Sequence, residues 1–307
     1  AGMAPDLDVL IRSSTDPLLF LEYHRQFTHS LIFIPVGAAL VAVALWGLVG
    51  RRRGWAPGRV YLYCLLGYGT HALLDACTTY GTQLLWPFTD RRFAWNNVSI
   101  IDPLVTIPLL GGIAYGRWRN NPWPPRAAFA WVLCYLCLGV LARDWARDEG
   151  YALAESRGHT PVLLEAKPSF ANIVLWKVVY RHGDRYYVDA VRLGRAPRVY
   201  PGGSIAALDI TRDLPWLEPG SVQARDLERF RWFSMDYLAA DPRQPGHIMD
   251  LRYSLIPNQI QPLWGIELNR AAPQEHVRYT ARRSTDRATF STLAAMLRGR
   301  DLPVRMH

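Results

Sequence analysis

The first half of the chain alternates long apolar segments with short basic loops. Residues 30–50 contain no charged side chain, and further apolar segments lie at 60–80, 98–116 and 126–143. Each segment is close to the ~20 residues that an α-helix needs to cross the hydrocarbon core of a bilayer. The pattern predicts a polytopic α-helical membrane protein with about four spans.

The second half is polar, rich in Arg and interrupted by Pro and Gly after Arg143. Two β-rich stretches in residues 172–193 flank Gly183 and Asp184, which predicts a hairpin. Helical spacing and a serine start predict a helix over 221–240. Strands are predicted near 248–255 and 263–268, and a closing helix over 284–300. We therefore predict a transmembrane helical domain over 1–145 and a soluble, β-rich α+β domain over 146–307.

The formal net charge of +9 is distributed in a way that indicates membrane topology. The basic residues of the first half lie in short clusters between apolar segments, so we do not expect a nucleic-acid partner. Loops 51–59 and 117–126 carry seven Arg, against four in the opposite N-terminal and 81–97 segments. By the positive-inside rule, the seven Arg face the cytoplasm and the C-terminal domain is extracytoplasmic, in the periplasm.

Polar side chains inside membrane segments are costly and mark functional sites. His71 and Asp75 are four residues apart, so a helix places them on one face, where they can share one metal ion. The alternative is a hydrogen-bonded His-Asp pair that joins neighbouring helices.

Other candidate ligands lie near the predicted outer face. His24 and His29 precede the first span, Asp102 begins the third, and Asp6 and Asp8 lie in the N-terminal segment. A mixed His and carboxylate set suits Zn²⁺, with Mn²⁺ or Fe²⁺ as alternatives, and offers ligands for one to three ions. The predicted ligands are Asp6, Asp8, His24, His29, His71, Asp75 and Asp102.

Each of these residues also has a structural interpretation. Asp6 and Asp8 could be solvated loop acids or helix caps, and Asp102 before Pro103 is a common N-cap arrangement. His24 and His29 are separated by about 140° on a continuous helix. Both can therefore face one site only if the chain bends there, or else they bind different ions.

Four sequence segments resemble a known family. "PDLD", "HRQFTHS", "GYGTHALLDACTTYGTQLLWPF" and "RRFAW" are similar to inner-membrane-associated, metal-dependent hydrolases of the LexA-regulated type, over about residues 4–110. That family is distantly similar to zinc-dependent phospholipase C and P1-type nucleases. Its members carry one or two helices and a Gly-His pair before the first of these segments. We therefore expect that N-terminal helices are missing from the sequence shown; the alternative is that this protein lacks a ligand and a helix typical of that family.

The resemblance implies a hydrolase in the bacterial inner membrane, and the predicted site depth favours a membrane lipid as its substrate. We expect metal-activated water to cleave a lipid phosphoester at the outer leaflet. Asp8 or Asp102 is the predicted base, and Arg25, Arg91 and Arg92 are predicted to hold an anionic headgroup. The alternatives are a lipid amidase or esterase with an intramembrane zinc site, and a non-catalytic membrane anchor with a structural metal.

Overall fold

A computed structural model describes residues 1–281 and 286–302. The chain divides into two compact units, Ala1–Trp95 and Asn96–His307. The domain boundary expected at residue 145 lies inside one continuous helix, Trp123–Ser156. That helix belongs to the same compact unit as the β-rich domain.

The first unit is helical. Its elements are a 3₁₀ turn at Pro5–Leu10, α1 at Leu19–Tyr23, a 3₁₀ turn at Phe27–His29, α2 at Ile34–Leu45 continued by a π-helical turn at Trp46–Gly50, and α3 at Pro57–Cys77. Helices α2 and α3 pack together through Ala38, Cys64 and Ala72. The Tyr68 ring lies directly against Gly37, where any side chain would collide with it. This contact fixes the part of α3 that carries His71 and Asp75.

The second unit begins with a helical hairpin, α4 at Pro103–Trp118 and α5 at Trp123–Ser156. Asp102 caps α4, because its carboxylate accepts a hydrogen bond from the Leu104 N–H at 2.9 Å. The Tyr135 hydroxyl of α5 donates to the same carboxylate at 2.9 Å. The start of α4 therefore lies beside the middle of α5, and the two helices run antiparallel.

Two four-stranded antiparallel sheets make up the β-rich part, each with its strands in chain order. The first contains β1 Leu163–Pro168, β2 Leu175–His182, β3 Arg185–Arg192 and β4 Arg198–Ala206, and the second contains β5 Leu238–Ala240, β6 His247–Asp250, β7 Trp264–Glu267 and β8 Arg278–Ala281. Helices α6, α7 and α8 span Ile210–Asp213, Val222–Phe233 and Arg287–Leu297. The predicted hairpin around Gly183 is confirmed as β2 and β3.

The other predicted elements of this domain are shorter than expected. The predicted helix over 221–240 ends at Phe233, and its last residues form β5. The predicted closing helix corresponds to α8, while residues 284 and 285 lie outside the described part of the chain. The two predicted strands are confirmed as β6 and β7.

The C-terminal half of α5 packs on the first sheet through small residues. Ala146, Gly150 and Ala154 recur every four residues and are buried on one face of the helix. Ala146 and Ala154 share a core with Trp176 and Val178 of β2. The close approach that these small side chains allow joins the helix firmly to the β-rich domain.

The prediction of four membrane spans is wrong. Among the described residues, α5 alone is long and apolar enough to cross a membrane. Helix α2 with its π-helical continuation has 17 residues and α4 has 16, fewer than the ~20 that a bilayer core requires. Helix α3 has 21 residues, but Gly, Thr, His and Asp interrupt its apolar character. Segments Leu19–His29 and Ile34–Gly50 are long and apolar enough for a membrane span only when taken together, and the chain bends by 83° between them.

A substitution in α5 tests how closely it contacts the chain before α4. A Cβ atom at Gly139 would collide with the Asn97 carbonyl oxygen, whereas a Cβ at Gly111 in α4 would meet open space. We expect Gly139→Ala to lower the free energy of unfolding by about 1–3 kcal/mol, and Gly111→Ala to leave it unchanged or higher. Thermal unfolding of both variants in lipid nanodiscs measures the difference. Equal midpoints for the two variants would contradict this packing.

Candidate metal centre

Four predicted ligands from three elements of the first unit converge on one point. Asp6 comes from the 3₁₀ turn at Pro5–Leu10, His29 from the turn at Phe27–His29, and His71 and Asp75 from α3. One possible ligand atom from each lies within 4.8 Å of the others. The prediction that His71 and Asp75 share a helix face is confirmed by the 3.5 Å between His71 Nε2 and Asp75 Oδ2.

The spacing of these atoms matches a tetrahedral ion. Nε2 of His29 lies 3.7 Å from Asp6 Oδ1 and 3.1 Å from Asp75 Oδ2. Nε2 of His71 lies 3.4 Å from the same Asp6 oxygen. Ligands that surround Zn²⁺ tetrahedrally at 2.0–2.1 Å are about 3.3 Å apart. The four side chains therefore need little movement to hold such an ion.

Three of the four atoms have no hydrogen-bond partner in the described structure. They are His29 Nε2, His71 Nε2 and Asp75 Oδ2, and all are buried. Asp75 Oδ2 has the Arg25 guanidinium as an ionic neighbour, with Nε at 3.0 Å, but makes no hydrogen bond of regular geometry. A buried polar atom without a partner is costly, and native structures rarely leave several in one place. A bound cation would satisfy all three at once. On both spacing and unsatisfied atoms, the donor set fits a divalent metal.

Asp8 contacts the His29 ring on the side away from the four ligand atoms. Its side chain is fully buried, and Oδ2 accepts hydrogen bonds from the Thr28 hydroxyl at 2.6 Å and the Arg25 N–H at 2.9 Å. The same oxygen lies 3.3 Å from Nδ1 of His29. A carboxylate on the far nitrogen of a ligand imidazole orients the ring toward the metal. Asp8 thereby directs Nε2 of His29 to the cluster.

The carboxylates at the centre are held in their charged form. The nearby imidazoles of His29 and His71 keep the pKa of Asp6 well below its ordinary value. Burial raises the pKa of Asp8, but hydrogen bonds from His24, His29 and Thr28 outweigh it and leave the pKa lowered. Both groups therefore present anionic oxygens at neutral pH.

His24 belongs to a second group with Asp6 and Asp8, whose ligand atoms also lie within 4.8 Å of one another. Its Nδ1 is 2.7 Å from Asp8 Oδ1. The chain bends between the two histidines, because α1 ends at Tyr23 and Arg25 adopts a φ of 61°. The bend that His24 and His29 require to serve adjoining positions is therefore present. Asp6 is common to both groups.

The three arginines predicted to bind substrate lie in different environments. Arg25 is buried, with Nε 3.0 Å from Asp75 Oδ2 and Nη1 donating to the Thr78 hydroxyl at 2.9 Å. Arg92 is also buried, and its guanidinium donates to the carbonyls of Leu21, Glu22, His24 and Gly81. Arg91 is exposed over the Phe93 ring. Arg25 and Arg92 thus stabilise the ligand-bearing segments.

Asp102 lies in the second unit, where it caps α4 and accepts from Tyr135. The helix-cap interpretation that its sequence context allowed is the one that the structure shows. It is not a member of the ligand groups found among the described residues. We therefore leave Asp102 out of the proposed metal site.

Thr28 is a supporting residue that the sequence analysis missed. Its hydroxyl donates to Asp8 and lies 2.9 Å from Nδ1 of His29. Its position directly before a candidate ligand in "FTHS" is the one signal that the sequence offers.

Comparisons with known proteins agree with a membrane location. Residues 1–146 match the model of the YdjM inner membrane protein family. The chain is 38% identical over 106 residues to inner membrane protein YbcI of Escherichia coli strain K12, an alignment that covers 32% of this chain and 57% of that protein. It is 27% identical over 121 residues to the uncharacterized protein YfhP of Bacillus subtilis strain 168, covering 39% and 36% of the two chains.

These similarities support an inner-membrane protein family for the N-terminal half of the chain. The aligned regions span little more than half of one relative and about a third of the other. No solved structure matches the chain. The comparisons thus support the membrane location, and the chemistry has to be argued from the geometry of the site.

Removal of the Thr28 hydroxyl tests the support that Asp8 receives. We expect Thr28→Val to reduce the free energy of unfolding by about 1–3 kcal/mol, because a buried carboxylate loses a donor. Thr28→Ser keeps the hydroxyl and should recover most of that stability. Chemical denaturation of the three proteins in detergent measures the difference. Equal stability of Thr28→Val and the parent would show that this hydrogen bond is dispensable.

Proposed function

We propose that the chain is a metal-dependent hydrolase of the bacterial inner membrane that cleaves a phosphoester in an amphiphilic, lipid substrate. The observation that carries the proposal is the convergence of Asp6, His29, His71 and Asp75 with three buried ligand atoms left without hydrogen-bond partners. Two imidazoles and two carboxylates form a donor set suited to Zn²⁺, with Mn²⁺ or Fe²⁺ as alternatives.

The chain supplies orientation and charge balance at this centre. A divalent cation, when bound, supplies a more acidic water and polarises a phosphoryl oxygen. Asp8 and Thr28 hold the His29 ring, while the Arg25 guanidinium offsets the charge of Asp75. The Asp6 side chain is 41% exposed, whereas that of His29 is fully buried. Substrate therefore approaches from the Asp6 side.

The second group of ligands supports a phosphoester over an amide. Asp6 is shared with His24 and Asp8, so the two groups together could hold a second cation. Paired cations that stabilise both the attacking and the leaving oxygen are common in phosphatases and nucleases. This arrangement favours phosphoester cleavage among the hydrolytic reactions considered.

Apolar side chains beside the ligands support an amphiphilic substrate. The turn that places Asp6 and Asp8 also exposes Leu7 and Leu10, at 63% and 75%. Met3, just before the turn, is exposed as well. Exposed apolar side chains next to a charged centre can contact an acyl chain while the lipid headgroup lies at the metal-binding side chains.

Metal content and hydrolysis, measured on the same variants, test this proposal. We expect His71→Ala and Asp75→Ala to lose bound zinc and phospholipid hydrolysis in nanodiscs, because each removes an inward ligand. His182→Ala, a His substitution in the second unit, is the matched control and should keep both. Amide-linked lipids offered in parallel should remain intact.

Two outcomes would count against the proposal. Full zinc occupancy in both ligand variants would remove these residues from the centre. Zinc binding that is lost in the variants, together with no hydrolysis of any lipid by the parent protein, would favour a structural metal in a membrane anchor.

The charges that flank α5 support a periplasmic position for the β-rich domain. Residues 117–126 contain three Arg, whereas residues 143–149 contain two. By the positive-inside rule, this difference favours a cytoplasmic position for the N-terminal end of α5. The domain that follows α5 lies on the other side.

Thiol labelling in intact cells tests this orientation. In a background without the four native cysteines, we expect Ser204→Cys to react with a membrane-impermeant reagent and Asn121→Cys to react only after the membrane is opened. Both positions are exposed, so burial does not explain a difference. The opposite labelling pattern would place the β-rich domain in the cytoplasm.

A further inference from the structure

Two loops of the second unit expose large apolar side chains close to the candidate membrane helix. The residues are Ile100, Ile101, Phe170 and Val174, and they are 39–60% exposed. We refer to these four residues as the apolar rim. Single exposed apolar residues are ordinary, but a contiguous group marks an interaction surface.

The loop that carries Phe170 is held in a defined conformation. The buried side chain of Asn172 accepts hydrogen bonds from the Val174 and Leu175 N–H groups and donates to the Phe170 carbonyl. Ala171 adopts a φ of 65°, which is uncommon for a residue other than Gly. The hydrogen bonds of Asn172 thus order the loop that exposes Phe170.

A direct hydrogen bond joins the two loops of the rim. The Ala171 N–H donates to the Ser99 hydroxyl at 3.0 Å. Phe170 precedes the donor and Ile100 follows the acceptor in the chain, so both lie next to this bond. The two loops that carry the four apolar side chains are therefore adjacent.

The rim lies at the level where α5 changes from apolar to charged. Asn97 donates to the Leu136 carbonyl at 3.3 Å, and its own carbonyl lies against Gly139. On the N-terminal side of Gly139, α5 exposes Leu133 and Leu138. On its C-terminal side, the first charged residue is Arg143. A helix with that pattern leaves the hydrocarbon core near residue 142.

We propose that the apolar rim inserts into the interfacial region of the lipid bilayer and docks the β-rich domain on the membrane surface. The chain segment before Ile100 contacts α5 where its exposed apolar part ends, and this position identifies lipid as the occupant of the rim. Trp145 is exposed just beyond the same level, where aromatic side chains favour the membrane interface. The proposal rests on the membrane location of α5 and is independent of the hydrolase proposal.

Nitroxide labels on the full chain in nanodiscs test the docking. Labels at Phe170→Cys and Ile101→Cys, in a background without native cysteines, should collide with oxygen several-fold more readily than with a water-soluble nickel complex. Leu141→Cys in the apolar part of α5 provides the lipid reference. Glu155→Cys, 14 residues further along the helix and so about 21 Å away, provides the water reference.

The collision ratios at Phe170 and Ile101 should resemble that at Leu141. Ratios equal to that at Glu155 would place the rim in water and overturn the proposal. Low collision with both reagents would also overturn it, because it would show that protein covers the rim. Val174→Cys on the same loop serves as the replacement if the Phe170 variant unfolds at a lower temperature than the parent.

Discussion

The buried carboxylate of Asp8 is the interaction on which the candidate centre depends. A charged group out of water is tolerated only when hydrogen bonds replace its hydration, and Asp8 receives them from His24, the Arg25 backbone and Thr28. These donors belong to the bend that follows α1. The same contacts that satisfy Asp8 thus tie the N-terminal turn to the segment that carries His24 and His29, and bring Asp6 to α3.

The candidate site was predictable from the sequence where helical geometry alone decides it. His71 and Asp75 lie on one face because they are four residues apart in a regular helix. The meeting of His24 and His29 depends instead on a φ of 61° at Arg25. A left-handed conformation at a non-glycine residue has no reliable sequence signal. Asp102 shows the converse case, since its residue type suits a ligand and the following Pro103 already indicated a cap.

Hydropathy predicted where the apolar segments lie and failed to show where helices begin and break. The segment at 30–50 starts with a turn, because the Ser30 carbonyl accepts from the Phe33 N–H before α2 begins. The apolar segment at 126–143 lies within α5, but the helix continues to Ser156 because Ala146, Gly150 and Ala154 pack on the first sheet. That continuation depends on tertiary contacts with β2, which a local apolar pattern does not contain.

The ligands around the bound metal ion show directly whether His29 and His71 form the centre. X-ray absorption at the zinc edge of the loaded full chain reports the ligand types and their distances. We expect nitrogen and oxygen ligands at about 2.0–2.1 Å with the scattering pattern of two or more imidazoles. A sulfur shell near 2.3 Å would contradict it, because it would place zinc on cysteines such as the exposed Cys134 and Cys137 instead of on His29 and His71.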